Sequence, residues 1–166
     1  MIIQEYKFPN YEEIQKLEKK ANKEGSGIEA SDLEGFWKFQ YVYRKGSMII
    51  DNISSSLLQI LCASLELKNH IIQDDLPTFE ISNSIKFGIL SIVFSGNAYL
   101  KGSRPLLNFY FKNLYIKVFN IPIFDKSLKE TSPQKMPFFS FIALGENKKW
   151  VCARGKGGGL AIWIKG

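Results

Sequence analysis

Few residues in this chain offer a start for chemistry. The single histidine, His70, lies in a polar Lys-Asn-His stretch. One imidazole excludes multi-histidine metal sites and leaves any Ser-His nucleophile pair dependent on one loop residue. A solvated loop histidine is the simpler expectation. Asp74 and Asp75 are adjacent. On a strand they would point to opposite faces, a poor arrangement for acid–base work or for a metal, so they read as a loop charge pair. Arg154-Gly-Lys-Gly-Gly-Gly159 has the glycine density of a phosphate loop. It lacks the Gly-x-x-x-x-Gly-Lys-Ser/Thr pattern, and a strand follows it rather than a helix. A tight hairpin with left-handed glycines is expected, with anion binding by its amides and Lys156 as the residual alternative. Cys62 and Cys152 sit in apolar stretches and form no Cys-x-x-Cys, which points to buried reduced thiols. No catalytic residue, metal-ligand set or cofactor motif emerges, so the chain reads as a binder and not an enzyme.

The stronger pattern is aromatic. Strict alternation points Trp37, Phe39, Tyr41, Tyr43, Phe109, Phe111, Phe139, Phe141 and Trp150 to one interior. An eight-stranded barrel has room either for side chains or for one small ligand. The rings therefore either fill a core or line a pocket for an apolar or conjugated ligand, with tyrosine hydroxyls suited to a polar end.

The elements that would position these rings are mostly strands. Asn10 caps a helix from Tyr11 to Glu24, acidic at its start and basic later, as the helix dipole favours. Its apolar stripe of Tyr11, Ile14, Leu17 and Ala21 either plugs one end of a barrel or packs outside it. From Asp32 onward the period is two. Strands are expected at 36–43, 48–53, 79–85, 86–94, 99–101, 106–111, 113–119, 138–144, 150–154 and 160–164. Residues 57–67 read as a strand or a buried helical turn. Segments 68–77 and 124–137 read as polar connections. The fold class is mainly β: an antiparallel barrel of about eight short strands with an N-terminal helix. One domain spans 1–166, with 1–30 helical and 31–166 forming the barrel.

Composition agrees. The chain has 166 residues, 45% hydrophobic, 14% aromatic and 23% charged, which suits one globular core. Of its 22 basic residues only Arg44, Arg104 and Arg154 are arginine. The lysines are scattered, which argues against nucleic acid and favours weak attraction to an anionic membrane surface. No signal peptide and no 18-residue apolar run is present, so the protein is expected in the cytoplasm or peripheral to a membrane.

Three stretches carry a family resemblance. Gly35-Phe36-Trp37 is similar to the Gly-x-Trp opening of lipocalins. Leu33-Glu-Gly-Phe-Trp-Lys-Phe-Gln-Tyr, Ile81-Ser-Asn-Ser-Ile-Lys-Phe87 and the ending from Trp150 to Lys165 resemble the plastid lipid-associated protein (fibrillin) family over residues 10–165. Where that family carries Leu-Asp, this chain has Leu144-Gly145-Glu146, and its lack of a transit peptide suits a cyanobacterial member. The resemblance implies a lipocalin-like barrel at thylakoid membranes or lipid bodies that binds isoprenoid lipid, carotenoid, quinone or fatty acid. It also implies that Arg154 packs across Trp37 and closes the barrel base. Two alternatives stand beside it. One is a bilin lyase on a similar barrel, with Arg44, Arg104 and Arg154 pairing the chromophore's propionates. The other is a packed barrel that acts as a protein-interaction scaffold.

Overall fold

The computed structural model describes residues 7–52, 54–55 and 63–166. Cys62 and residues 57–62 of the ambiguous 57–67 segment lie outside the described residues. Helix α1 (Tyr11–Glu24) starts on a reciprocal cap: the Glu13 amide donates to Asn10 Oδ1 at 2.9 Å, and the Asn10 amide donates to Glu13 Oε2 at 2.8 Å. A short helix, α2 (Ala30–Leu33), leads into the sheet. Nine strands follow among the described residues: β1 (Gly35–Tyr43), β2 (Ser64–Gln73), β3 (Leu76–Phe87), β4 (Leu90–Lys101), β5 (Leu106–Val118), β6 (Ile121–Ser127), β7 (Phe138–Leu144), β8 (Trp150–Gly155) and β9 (Leu160–Lys165). They run β4-β3-β2-β1-β9-β8-β7-β5, and β4 pairs with β5 to close an eight-stranded antiparallel barrel. Strand β6 is an addition, paired along the far half of β5.

Several expected loops are strands. The 68–77 connection belongs to β2 and β3, joined at Asp74 and Asp75, both at positive φ, in a two-residue hairpin turn. His70 is therefore on a strand edge, where its amide donates to Glu34 Oε1 at 3.2 Å. The 124–137 segment begins as β6, and Ser95-Gly96-Asn97 continues β4 where a turn was expected. Among the described residues of segment 48–53, strand pairing is a single bridge, from Ile50 to Tyr43. The glycine-rich 155–159 stretch is the tight hairpin expected, closed by the Gly155 amide donating to the Gly159 carbonyl at 3.0 Å.

Of five register shifts among the strand pairs, three set which of the expected aromatic residues face inward. The β1–β9 register shifts between Phe39 and Tyr41, the β5–β4 register between Phe111 and Asn113, and the β7–β8 register between Phe141 and Ala143. Each inserts one residue (Gln40, Lys112 and Ile142) and reverses the alternation beyond it. On β5 the reversal keeps Leu114, Ile116 and Val118 on the inner face and sends Asn113, Tyr115 and Lys117 out. What reads as a turn in sequence is this bulge inside a continuous strand.

The core divides accordingly. Inside the barrel, Trp37, Leu67, Phe79, Ile81, Leu107 and Phe141 are almost fully buried. Outside it, α1 lays Ile14 on Tyr43, Ile142, Cys152, Leu160 and Ile162. The helix thus packs on the outer wall and does not plug the barrel.

Gly96 faces the β5 bulge so closely that a Cβ there would lie 1.9 Å from the Tyr110 carbonyl oxygen and 2.8 Å from Phe111 Cα. Gly96→Ala must push the two strands apart. Urea denaturation should show a loss of about 3 kcal/mol; an unchanged midpoint would mean that the bulge is not held this tightly.

Candidate functional site

Inward residues are not equally covered. Rings form a row across the interior from β1 to β4. Phe39 meets Trp163 at 5.4 Å between centroids, Trp163 meets Phe139 at 6.2 Å, and Phe139 stacks on Phe109 at 5.2 Å. Phe109 meets Phe111 at 5.5 Å, and Phe111 meets Phe94 at 5.4 Å. Phe39, Phe109 and Trp163 are buried, whereas Phe94, Phe111 and Phe139 are half-buried. The row is the boundary between a filled end and an open end.

Beyond it, β5 pairs with β6 in place of β7, and β3, β4, β5 and β6 continue as one sheet. Register aligns Ile85, Ile92, Ile116 and Phe124 in one row, and Phe87, Leu90, Val118 and Ile121 in the next. Alternation puts both rows on the same face as Phe79, Ile81 and Ala98, the face that lines the core. All eight side chains are half-buried or exposed. The result is an apolar trough continuous with the interior. A cavity of about 600 Å³ lies beside Phe39 near the start of β2, but Phe36, Lys38, Ser64, Ser84 and Lys86, which line most of it, are on the strand face opposite Trp37 and Ile85, so it belongs to the outer side of the wall and not to the trough.

A larger cleft of about 750 Å³ lies outside the barrel, between α1 and the β7–β8 hairpin. Its lining mixes Phe8, Leu17 and Trp150 with Lys7, Glu13, Lys16 and Lys149. It is a wide seam under a helix and shares no residue with the ring row or the trough; the trough is the better candidate because it continues the apolar core face.

The expected interior residues separate into two groups. Trp37, Phe39, Phe109, Phe111, Phe139 and Phe141 belong to the inner cluster or pack against it. Tyr41, Tyr43 and Trp150 do not: they belong to the outer cluster under α1. The Gln40 bulge reverses β1 after Phe39, and so turns both tyrosines outward. Tyr11 meets Tyr43 at 5.2 Å and Phe8 meets Tyr41 at 5.7 Å. Burial pushes the Tyr41 hydroxyl well above its ordinary pKa of 10.0, with smaller contributions from Tyr43 and Cys152.

Arg154 is likewise on the outer wall, because it shares the alternation of Cys152. It does not close the barrel base over Trp37. Lys165 takes that place, with Nζ 5.1 Å from the Trp37 ring, and Trp37 Nε1 donates to the Leu33 carbonyl at 2.8 Å. Arg154 instead donates from Nε and Nη2 to the two oxygens of Glu18 at 2.7 and 2.6 Å, and from Nη1 to the Gly158 carbonyl at 2.6 Å. Arg104 adds a bond to Glu18 at 2.9 Å and one to Asn22. Arg44 pairs with Asp51 at 2.9 Å. The three guanidinium groups that the bilin alternative relied on are all occupied by partners within the chain. Glu18 was not singled out in the sequence. The rarity of arginine was the clue available, since a chain this rich in lysine uses arginine where a forked, two-point bond is needed.

A scan of protein-family models finds none that matches this chain, and a search of curated proteins finds no match either.

Arg154's hydrogen bonds hold the Glu18 carboxyl below its ordinary value of 4.5, against the upward push of burial, with both arginine charges adding to the lowering. A carboxyl depressed in the folded state contributes stability above its unfolded pKa, and that contribution is lost as pH falls through the folded value. Glu18→Gln should therefore cost about 2 kcal/mol at neutral pH. The deficit should shrink as the pH of the denaturation series falls below 4.5. A deficit constant with pH would show that Glu18 carries no charge-dependent clamp.

Proposed function

We propose that the protein is a non-enzymatic binder of an apolar ligand, held in the flared end of the barrel. The ligand class is an isoprenoid lipid, carotenoid, quinone or fatty acid, and the place of work is the surface of a photosynthetic membrane. One observation carries this reading: two cross-strand rows of Ile, Leu, Val and Phe continue the core face past the last buried ring and stay open to solvent. Taking such a side chain from full exposure to full burial is worth roughly 1.5–3 kcal/mol, and each of these eight has part of that still to gain. A long apolar ligand laid along the trough recovers that energy and ends against the Phe94–Phe111 pair. The inner end of the trough fits a ligand with one polar end: in the row of Phe94, Asn83 lies across from Phe94, and Lys126 across from Leu114. The likeness of residues 33–41, 81–87 and 150–165 to fibrillins supports the same ligand class.

Titration with cis-parinaric acid, a fluorescent polyene, tests the reading. Saturable enhancement is expected, displaced by a carotenoid or quinone. Ile116→Lys should weaken it at least tenfold with little change in melting temperature, since Ile116 is only half-buried. Leu17→Lys, in the cleft under α1, should leave it intact. Unsaturable uptake, or loss only in the Leu17 variant, would overturn the assignment.

A further inference from the structure

We propose that the tips of the β3–β4 and β5–β6 hairpins form a docking surface for an anionic lipid bilayer, and that the open lip of the trough meets the membrane there. The proposal rests on the reading of the barrel as an apolar-ligand binder and names the surface from which the ligand is taken.

The two tips are held side by side, with the Phe119 amide donating to the Ile89 carbonyl at 3.0 Å. Together they present Phe87, Ile89, Phe119, Ile121 and Ile123, every one more than half exposed. Such a cluster on a water-facing tip is not the scatter of single apolar side chains that ordinary surfaces carry.

Phe119 makes the case specific. The β5–β6 turn places Phe119 at φ +48° and Asn120 at φ +65°. A two-residue turn of this type favours Asn, Asp or Gly at both positions. A bulky aromatic side chain in the left-handed region is strained, and this one is 70% exposed, so it gains little from packing within the chain. A residue that is costly for the backbone and mostly wet makes sense when its ring is covered by something outside the chain.

Charge and composition select the partner. No Asp or Glu occurs between Glu80 and Asp125. Lys86 and Lys117 flank the tips and form no ion pair among the described residues. Protein interfaces draw on aromatic residues, Met and Arg at their centres and are poor in Lys. Here the centre is Phe and Ile on two protruding turns and the surround is Lys, the pattern of shallow insertion into a bilayer with anionic headgroups. Phe87 and Ile121 belong both to this patch and to the outer row of the trough, so docking would bring the lip against the acyl chains.

Flotation with vesicles of phosphatidylcholine, with and without phosphatidylglycerol, tests the proposal. The wild-type chain should float with the anionic vesicles, and less so as salt rises. Phe119→Asn puts a preferred residue in the turn. It should keep or raise the melting temperature while lowering the floated fraction at least fivefold, and Lys86→Gln with Lys117→Gln should abolish the preference for anionic vesicles. Parinaric-acid binding in vesicle-free buffer should be unchanged in Phe119→Asn, which separates failure of docking from failure of ligand binding. Equal flotation of wild type and Phe119→Asn, or no flotation of wild type, would overturn the proposal. So would concentration-dependent dimers of wild type that Phe119→Asn dissolves without any vesicle binding, because the patch would then serve a second copy of the chain.

Discussion

The barrel closes through a short seam. Strand β5 pairs with β7 over only Leu106, Leu107 and Asn108 before it leaves the wall to pair with β6. Its partner on the other side, β4, follows it along its whole length. A cylinder stitched for three residues on one side and twelve on the other cannot stay closed to its far end. The stitched end fills with Trp37, Phe79, Leu107 and Phe141, while the unstitched end carries the same apolar face into solvent. The filled end, the ring row and the open trough are consequences of that one asymmetry.

Much of this fold could be read before any coordinates. Alternation located most strands, Asn10 marked the helix start, and the two C-terminal hairpins lie where their turn residues put them. One cause recurs among the errors. A bulge adds one residue of no special type, so Gln40, Lys112 and Ile142 look like ordinary strand residues, yet each reverses the faces of everything beyond it. Tyr41 and Tyr43 follow a period that the chain breaks at Gln40, whereas Trp150 is outward by the unbroken alternation of β8, in line with Cys152. Strand β6 was missed for a different reason. Its Pro122, Asp125 and Lys126 resemble loop chemistry, and those are also the residues that guard an edge strand against unwanted pairing.

The candidate site was legible in kind but not in place. Aromatic content announced an apolar interior, and the ring row bears that out for Phe39, Phe109, Phe111 and Phe139. The open part of the trough, built from Ile85, Ile92, Leu114 and Ile116, is aliphatic and looked like ordinary core. Only the register shows that those residues lie past the point where the wall closes. Arginine had the opposite history. The lipocalin resemblance implies a role for Arg154 at the barrel base, but alternation with Cys152 puts it on the outer wall. There it and Arg104 tie α1 to the sheet through Glu18. Lysine serves the surface and arginine the fixed geometry, a division that follows from point charge against planar fork.

The division of the interior into a filled and an open half is best tested by NMR of isotope-labelled protein titrated with a nitroxide-bearing stearic acid. The amides of Ile92, Phe94, Leu114 and Ile116 should broaden at saturation, while those of Leu67, Phe79 and Ala153 stay sharp. Broadening centred on Phe8, Leu17 and Trp150 beneath α1, or none anywhere at saturating nitroxide, would contradict the account.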